Sequence, residues 1–290
     1  MTTKPTEPAT EVEEKEKEFF PFSHKTIFRH LMEDDEVARE VISIILGRKV
    51  RKAAYCIAEY DVRPTVKSKG IRLDIYFEND DNVYDVEMQV SPPRDLGRRC
   101  RYYQSSLDID MLKTGEDYEN MKNSYIIFLC RFNPSDTDQI EPISIYEPVR
   151  TNDPTCKVGD ALKLDTGTKT IICYTKAYEK LDRKTHRNLH DLLEYIATQK
   201  VENDNPFIKK IDNMVRYANQ DEEIRSEAKM YDLEIRDAEV RTEEKVRTEE
   251  RQATKETLTQ FLERNRDKLQ TQQQEELENI IKSYEVAKQC

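Results

Sequence analysis

The sequence lacks the long apolar runs and the paired cysteines that mark several large classes of protein. It contains no stretch of 18 apolar residues, so a membrane-spanning helix and a membrane partner are not expected. Its six cysteines show no Cys-x-x-Cys spacing, which argues against a zinc site and against a disulfide framework. The N-terminus is acidic and carries no signal-peptide pattern, and we therefore expect a soluble, cytoplasmic protein.

An excess of positive charge is also missing. The formal net charge is -11 at pH 7, which is not the profile of a small basic DNA-binding domain, so contact with nucleic acid would need a local basic patch. No phosphate-binding glycine loop, dinucleotide-binding glycine motif or Ser-His-Asp signature is present. His186 and His190 are four residues apart but have no accompanying HExxH motif, and a solvated helix is the preferred interpretation of this pair.

Composition divides the chain into three parts. Residues 1–20 are rich in charge and proline with almost nothing to bury, which predicts a disordered acidic tail. Residues 21–200 alternate helical and strand patterns, which predicts one α/β domain. Residues 201–290 are charge-laden and helical, with a six-residue repeat over 239–250 that indicates a solvated helix. Apolar residues near the C-terminus predict a helical hairpin, and a homo-oligomer through these helices is an expectation that follows.

Hydrophobic spacing locates the main elements of the α/β domain. Apolar residues recur at helical spacing over 27–46, with an expected break near 33–36 and an end at Gly47. A second helix is predicted between Pro93 and Gly115, since proline suits a helix start and glycine a helix stop. Further predicted elements are strands over 53–61, 71–77, 83–90, 125–130, 143–149 and 171–174, and a helix over 189–196. The continuous apolar run 125–130 is typical of a central strand buried on both faces.

The hairpin formed by residues 71–77 and 83–90 carries acids among apolar neighbours. Asp74 lies on its first strand, and Glu87 and Gln89 lie two residues apart on its second, so these two share a face. Acids are seldom buried in strands unless they are paired or bind a metal, and Mg²⁺ prefers carboxylate and phosphate oxygens. If the register brings Asp74 to the same face, the pattern predicts a metal-dependent phosphodiesterase site. The alternative is an edge hairpin with solvated acids.

Several motifs occur together in an order that resembles a known family. They are Ile71-Arg-Leu-Asp-Ile-Tyr76, Glu87-Met-Gln89, Arg99-Cys-Arg-Tyr-Tyr-Gln-Ser105, Gly115-Glu-Asp-Tyr118 and Tyr125-Ile-Ile-Phe128. Over about residues 22–200 the chain resembles the Rpn family of recombination-promoting nucleases, also described as transposases of the PD-(D/E)XK superfamily. The resemblance implies a restriction-endonuclease-like core, a mixed sheet flanked by helices. It also implies DNA as the partner and Mg²⁺, Mn²⁺ or Ca²⁺ as the cofactor.

The resemblance also implies roles for individual residues. Asp74 and Glu87 would be the metal ligands. Gln89 stands where the superfamily usually has lysine, so it would orient the attacking water without supplying charge, and lysine should be tolerated there. Arg99 would stabilise negative charge on a phosphate; the alternatives are a surface arginine or an ion pair with a site acid. One departure is Lys25, near which the first helix of the family usually begins with aspartate.

The sequence therefore predicts a metal-dependent DNA endonuclease that hydrolyses phosphodiester bonds. Two alternatives remain open. The first is a catalytically inactive nucleic-acid-binding module on the same fold, which the acidic net charge and Lys25 favour. The second is an interaction protein whose charged C-terminal helices are the functional part.

Overall fold

A computed structural model of the chain describes residues 18–63, 67–134, 140–148, 166–201 and 204–284. The described helices are α1 (Lys25–Met32), α2 (Asp35–Leu46), α3 (Leu96–Met111), α4 (Arg187–Thr198), α5 (Pro206–Ala218), α6 (Glu222–Asn265) and α7 (Thr271–Ser283). The described strands are β1 (Tyr55–Val62), β2 (Ile71–Glu78), β3 (Asn82–Gln89), β4 (Asn123–Cys130), β5 (Ile143–Tyr146) and β6 (Thr168–Tyr174). Of these described residues, those up to Ala228 form one compact unit, and those from Lys229 form a second.

The first unit is built on one mixed sheet with the strand order β1-β2-β3-β4-β6-β5. β1, β2 and β3 are antiparallel neighbours, β3, β4 and β6 run parallel, and β5 is antiparallel to β6. Helices cover both faces: α3 packs on one, and α1, α2, α4 and α5 pack on the other. The predicted α/β core with a mixed sheet flanked by helices is confirmed. β4 is central and buried on both faces, as its apolar run predicts.

The predicted break in the first helical segment is also confirmed, and its chemistry is local. The Asp34 carboxylate accepts hydrogen bonds from the backbone N–H groups of Glu36 and Val37, which caps the start of α2. Gly47 ends α2 with φ at 62°, a conformation that glycine adopts without strain. The short α1 that results leaves its N-terminal residue, Lys25, beside the sheet.

The predicted disordered tail, residues 1–20, extends too far, because Phe20 belongs to the folded core. The side chain of Phe20 is 2% exposed, and its backbone N–H and C=O both hydrogen-bond to the Asn219 side chain at 2.8 Å. The charged composition of the segment does not reveal that Phe20 is buried, because its hydrogen-bond partner lies 199 positions away in the sequence. Residues 1–17 of the predicted tail lie outside the described residues. The packed core also continues past residue 200, since Ile208, Ile211 and Val215 are fully buried.

Truncating Phe20 to alanine should lower the free energy of unfolding by about 3–5 kcal/mol, the usual effect of removing a buried phenylalanine. Its neighbour Phe19 is 46% exposed, and Phe19→Ala should change the stability by less than about 0.5 kcal/mol. The measurement is urea unfolding of both variants beside the parent. Equal midpoints for the two variants would contradict the buried anchor.

The second unit is helical. The guanidinium of Arg251 on α6 lies 6.0 Å from the ring centroid of Tyr284, just after α7, so the chain turns back as the predicted hairpin. Val240 and Val246 of the six-residue repeat are about half exposed, which confirms a solvated helix there. Among the described helices, none combines the length and the apolar composition that crossing a bilayer requires.

Candidate active site

The site forms where β2 and β3 stop pairing through their backbones. The ladder pairs Ile75 with Val86, and its pairs go no further toward Asp74. Past this point the backbone N–H of Asp74 donates to the Glu87 carboxylate at 2.8 Å, and the N–H of Met88 donates to the Asp74 carboxylate at 3.1 Å. Two side chains therefore continue the ladder and bring the Asp74 and Glu87 carboxylates together.

The second oxygen of each carboxylate faces a cation. Lys25 Nζ lies 3.9 Å from Asp74 Oδ1, and Arg99 Nη2 donates to Glu87 Oε2 at 3.0 Å. Lys25 comes from α1 on one face of the sheet and Arg99 from α3 on the other. Each acid is thus anchored to backbone by one oxygen and balanced by a side-chain cation at the other.

Arg99 is held by several partners at once. Its guanidinium also donates to the Gln89 amide oxygen at 2.7 Å and to the Tyr103 hydroxyl at 2.8 Å, and it lies 5.0 Å from the Tyr103 ring and 5.5 Å from the Phe128 ring. The ion pair with a site acid, one of the alternatives for Arg99, is therefore present. The Gln89 amide nitrogen donates to the Ser91 carbonyl at 2.8 Å, so both polar ends of Gln89 are bonded to protein.

Asp85 is a third acid of the site that the sequence-based prediction omitted. It lies on the same face of β3 as Glu87, and its side chain is fully buried. Among the described residues, neither carboxylate oxygen of Asp85 has a hydrogen-bond donor. Burial, followed by the nearby charge of Glu87, raises the pKa of Asp85 well above its usual value. The alternation of Asp85, Glu87 and Gln89 was the signal that could have found it.

Glu59 is a fourth acid, and it reaches the site through an unusual backbone. It lies on β1 between the residues that pair with Leu73 and Ile75, which places it opposite Asp74. Its φ is 51°, a left-handed conformation that is strained for a residue with a side chain. Its carboxylate lies 3.5 Å from Lys25 Nζ and accepts a hydrogen bond from Arg29 at 3.0 Å. An acid thus stands beside Lys25, where the family pattern leads one to expect an acid.

The donor set fits a hard divalent cation. Two buried carboxylates, those of Asp85 and Glu87, and the partly buried carboxylate of Asp74 converge against the two cations Lys25 and Arg99. Burial raises the pKa of Asp74, and burial together with the charge of Asp74 raises the pKa of Glu87 to about 8. Buried carboxylate charge without enough compensation is unfavourable, and an oxygen-preferring ion such as Mg²⁺ would compensate it.

This charge balance predicts how stability depends on pH. Because the pKa of Glu87 is about 8 in the folded protein and near 4.5 when unfolded, the folded state binds more protons between these values. Without metal, stability should therefore fall as the pH rises from about 4.5 to about 8. Since a divalent ion needs deprotonated ligands, the gain in melting temperature on adding Mg²⁺ should be larger at about pH 9 than at about pH 6.

Thermal unfolding in chelator and in millimolar Mg²⁺ at both pH values measures this effect. The control is Glu87→Gln, which cannot titrate at this position and should reduce the pH slope, while Asp74 and Asp85, whose pKa values are also raised, keep part of it. An equal Mg²⁺ gain at both pH values would contradict the prediction.

A second group of candidate ligands lies away from this site. One ligand atom each of His190, Asp191 and Glu194 lies within 4.8 Å of the others. However, Asp191 is fully buried, and it accepts hydrogen bonds from Arg183 at 2.6 Å and from Asn205 at 3.2 Å. These partners already compensate its charge, so the group is a structural ion-pair cluster. The prediction that this histidine pair lies on a solvated helix face is wrong for His190, whose side chain is 12% exposed.

Comparison with known proteins agrees with the geometry. Residues 19–155 match the model of a family described as PD-(D/E)XK nuclease family transposase. No curated protein and no solved structure gives a match to this chain. The matched segment contains Asp74, Glu87, Gln89 and Arg99, together with Lys25, and so covers the strands and helices that build the site. The family resemblance of the motifs is thereby confirmed, since residues 19–155 are similar to the PD-(D/E)XK nuclease family transposases.

Proposed function

We propose that the protein is a metal-dependent endonuclease that hydrolyses phosphodiester bonds in DNA at the Asp74–Glu87 pair. The observation that carries this proposal is the pair itself: one buried and one partly buried carboxylate on adjacent strands, each fixed by a backbone N–H and each with its other oxygen directed at a cation. Such a preorganised pair of hard oxygen donors suits a divalent ion. The family match supplies the substrate class, since it describes nucleases and transposases.

Asp74 and Glu87 would hold Mg²⁺, with Mn²⁺ or Ca²⁺ as alternatives, and the Met88 carbonyl between the two strands is a further candidate ligand. A bound ion of this kind polarises a phosphoryl oxygen and lowers the pKa of bound water. Arg99 is fixed by Gln89 and Tyr103, so its guanidinium would donate to a phosphate oxygen with little reorganisation. Its charge would stabilise the negative charge that develops on the phosphate.

The contacts of Gln89 favour a role in positioning Arg99 over the role in orienting water. A lysine at this position could not accept the hydrogen bond from Arg99, and its ammonium would lie beside the guanidinium. We therefore expect Gln89→Lys to lower the single-turnover cleavage rate by about tenfold or more, although the family pattern alone suggests that lysine is tolerated.

Gln89→Ala should lower the rate similarly, and Gln89→Glu should retain activity because its carboxylate still accepts from Arg99. All three variants keep the Mg²⁺ gain in melting temperature, since Asp74 and Glu87 remain. A lysine variant as fast as the parent would contradict the positioning role.

Cleavage of supercoiled plasmid and of labelled linear DNA tests the proposal directly. We expect nicked and linear products with Mg²⁺ or Mn²⁺ and none with a chelator. Protein carrying Asp74→Asn, purified identically, reports contaminating nuclease. Cleavage that persists in chelator, or its absence with every divalent ion tried, would refute the proposal.

A second candidate function is a non-catalytic nucleic-acid-binding module. The observation in its favour is that Lys25 and Arg99 already face the second oxygens of both acids. In that case the two cations take the place of a metal, DNA binds without being cleaved, and Mg²⁺ leaves the melting temperature unchanged. The same experiments therefore separate the two functions.

A further inference from the structure

A cavity of about 560 Å³ opens beside the Asp74–Glu87 pair. It lies between the start of β2 with the loop before it and the first two turns of α3. Six of its lining residues are Lys69, Arg72, Arg98, Arg99, Tyr102 and Tyr103. Its volume exceeds that of a single phosphate and falls in the range of sites that bind small organic ligands, about 300–1,000 Å³.

The cavity is basic although the protein is acidic. Four of its lining residues are cations and one, Asp95, is an acid, whereas the chain as a whole carries a net charge of -11. The Arg98 side chain is 79% exposed, and its contact with Asp95 is long, at 3.9 Å. Arg98 is therefore available to an anionic ligand, and a local basic surface of this kind is what nucleic-acid contact requires on an acidic protein.

The cavity also presents aromatic rings. The Tyr102 hydroxyl donates to the Lys69 carbonyl at 2.5 Å, which ties α3 to the loop before β2 and fixes the ring at the cavity wall. The residue remains 37% exposed. A nucleobase stacks on such a ring whatever its identity, because every base presents a π face.

Arg99 connects the cavity with the acids, since it lines the cavity and donates to Glu87. A nucleotide in the cavity would therefore lie next to a phosphate held at the pair. A base within a duplex reaches such a cavity only after unstacking and unpairing, which costs free energy. A base in a single-stranded segment enters without this cost.

We propose that the cavity binds an unpaired nucleotide adjacent to the scissile phosphate, so that the substrate is DNA with a single-stranded segment rather than continuous duplex. The inference rests on the proposed endonuclease function for its meaning in catalysis. The proposed binding site is supported independently by the cavity, by its basic lining residues and by the exposed ring of Tyr102.

Fluorescence anisotropy of the full chain in chelator tests the binding site without cleavage. The three probes are a labelled oligothymidylate of about twelve nucleotides, a duplex of the same length and an abasic strand that keeps the phosphates alone. We expect the oligothymidylate to bind at least about tenfold more tightly than the duplex or the abasic strand. Equal affinity for all three would overturn the inference, because it would show contact with phosphates only.

Tyr102→Ala should weaken oligothymidylate binding by about tenfold and leave abasic binding unchanged, whereas Tyr102→Phe keeps the stacking ring without the bond to Lys69 and should lose less affinity than Tyr102→Ala. Tyr118→Ala is the matched control, because Tyr118 is 84% exposed and does not line this cavity. Arg98→Glu, an exposed position that does not threaten folding, should weaken oligothymidylate binding at least about fivefold. Unchanged affinity in either Tyr102→Ala or Arg98→Glu would overturn the inference.

Cleavage of a duplex with a single-stranded arm then separates this inference from the proposed function. Cleavage that needs Asp74 but is indifferent to Tyr102→Ala and to the arm would overturn the cavity assignment and leave the nuclease standing. Single-strand binding that needs Tyr102, without cleavage under any divalent ion, would support the cavity and refute the nuclease.

Discussion

Asparagine in place of Asp74, or glutamine in place of Glu87, is expected to lower the rate of DNA cleavage by at least about a hundredfold. Each substitution removes one of the two proposed anionic ligands and preserves the shape of the side chain. The amide oxygen that Asp74→Asn introduces would still accept the Met88 N–H, so the fold of the two strands should persist. The loss would then report the missing charge at the metal position, measured as a single-turnover rate at saturating Mg²⁺.

Asp80→Asn is the matched control, because Asp80 is an exposed acid in the turn between β2 and β3. The cleavage rate of the Asp80→Asn variant should remain within about twofold of the parent rate. The Mg²⁺ gain in melting temperature should disappear in the two ligand variants and persist in Asp80→Asn. Full activity in both ligand variants would show that the chemistry occurs elsewhere.

Methionine in place of Arg99 should have the largest effect on stability at this site. It leaves the Glu87 carboxylate, whose side chain is 2% exposed, without its cationic partner. Breaking a buried pair in this way costs about 3–5 kcal/mol. We expect about 3 kcal/mol, the lower end of that range, because the Arg99 side chain is 33% exposed. The loss should shrink as the pH falls below about 8, where protonation of Glu87 removes the unpaired charge.

A double-mutant cycle tests the cause of that loss. In a Glu87→Gln background Arg99→Met should cost less, because no buried charge is left unpaired. Arg98→Met, the exposed neighbour on α3, should change the stability by less than about 0.5 kcal/mol in either background. Chemical unfolding at about pH 9 gives the free energies. If Arg99→Met lowered the free energy of unfolding equally in both backgrounds, the loss would come from packing on Phe128 and Tyr103 and not from the charge of Glu87.

The strands and helices were largely predictable, because their signals are local. The apolar run over 125–130 and the acids inside apolar strands need only their sequence neighbours to be recognised, and the structure places Asp74 and Glu87 together as the hairpin register predicts. The parts that were missed depend on distant contacts. Glu59 faces Lys25 from a backbone with positive φ, and the buried Phe20 is hydrogen-bonded through its backbone to the distant Asn219.

The position of Lys25 was also beyond sequence reasoning, because it follows from how α1 packs against the sheet. Lys25 occupies the position where the family usually has an acid, yet the site still contains several acids. Glu59 brings its carboxylate in from β1, and Asp85 adds another from β3. The acidic character of the site is therefore kept by residues that are far from Lys25 along the chain.

The strained backbone of Glu59 has a consequence for ion exchange. Lys25 has two carboxylates within reach, Asp74 at 3.9 Å and Glu59 at 3.5 Å. If Asp74 held a divalent ion, the Lys25 ammonium would not have to return to bulk water, since its second partner, Glu59, is already within 3.5 Å. The ammonium that such an ion would displace from Asp74 would therefore keep a carboxylate partner within the protein, that of Glu59.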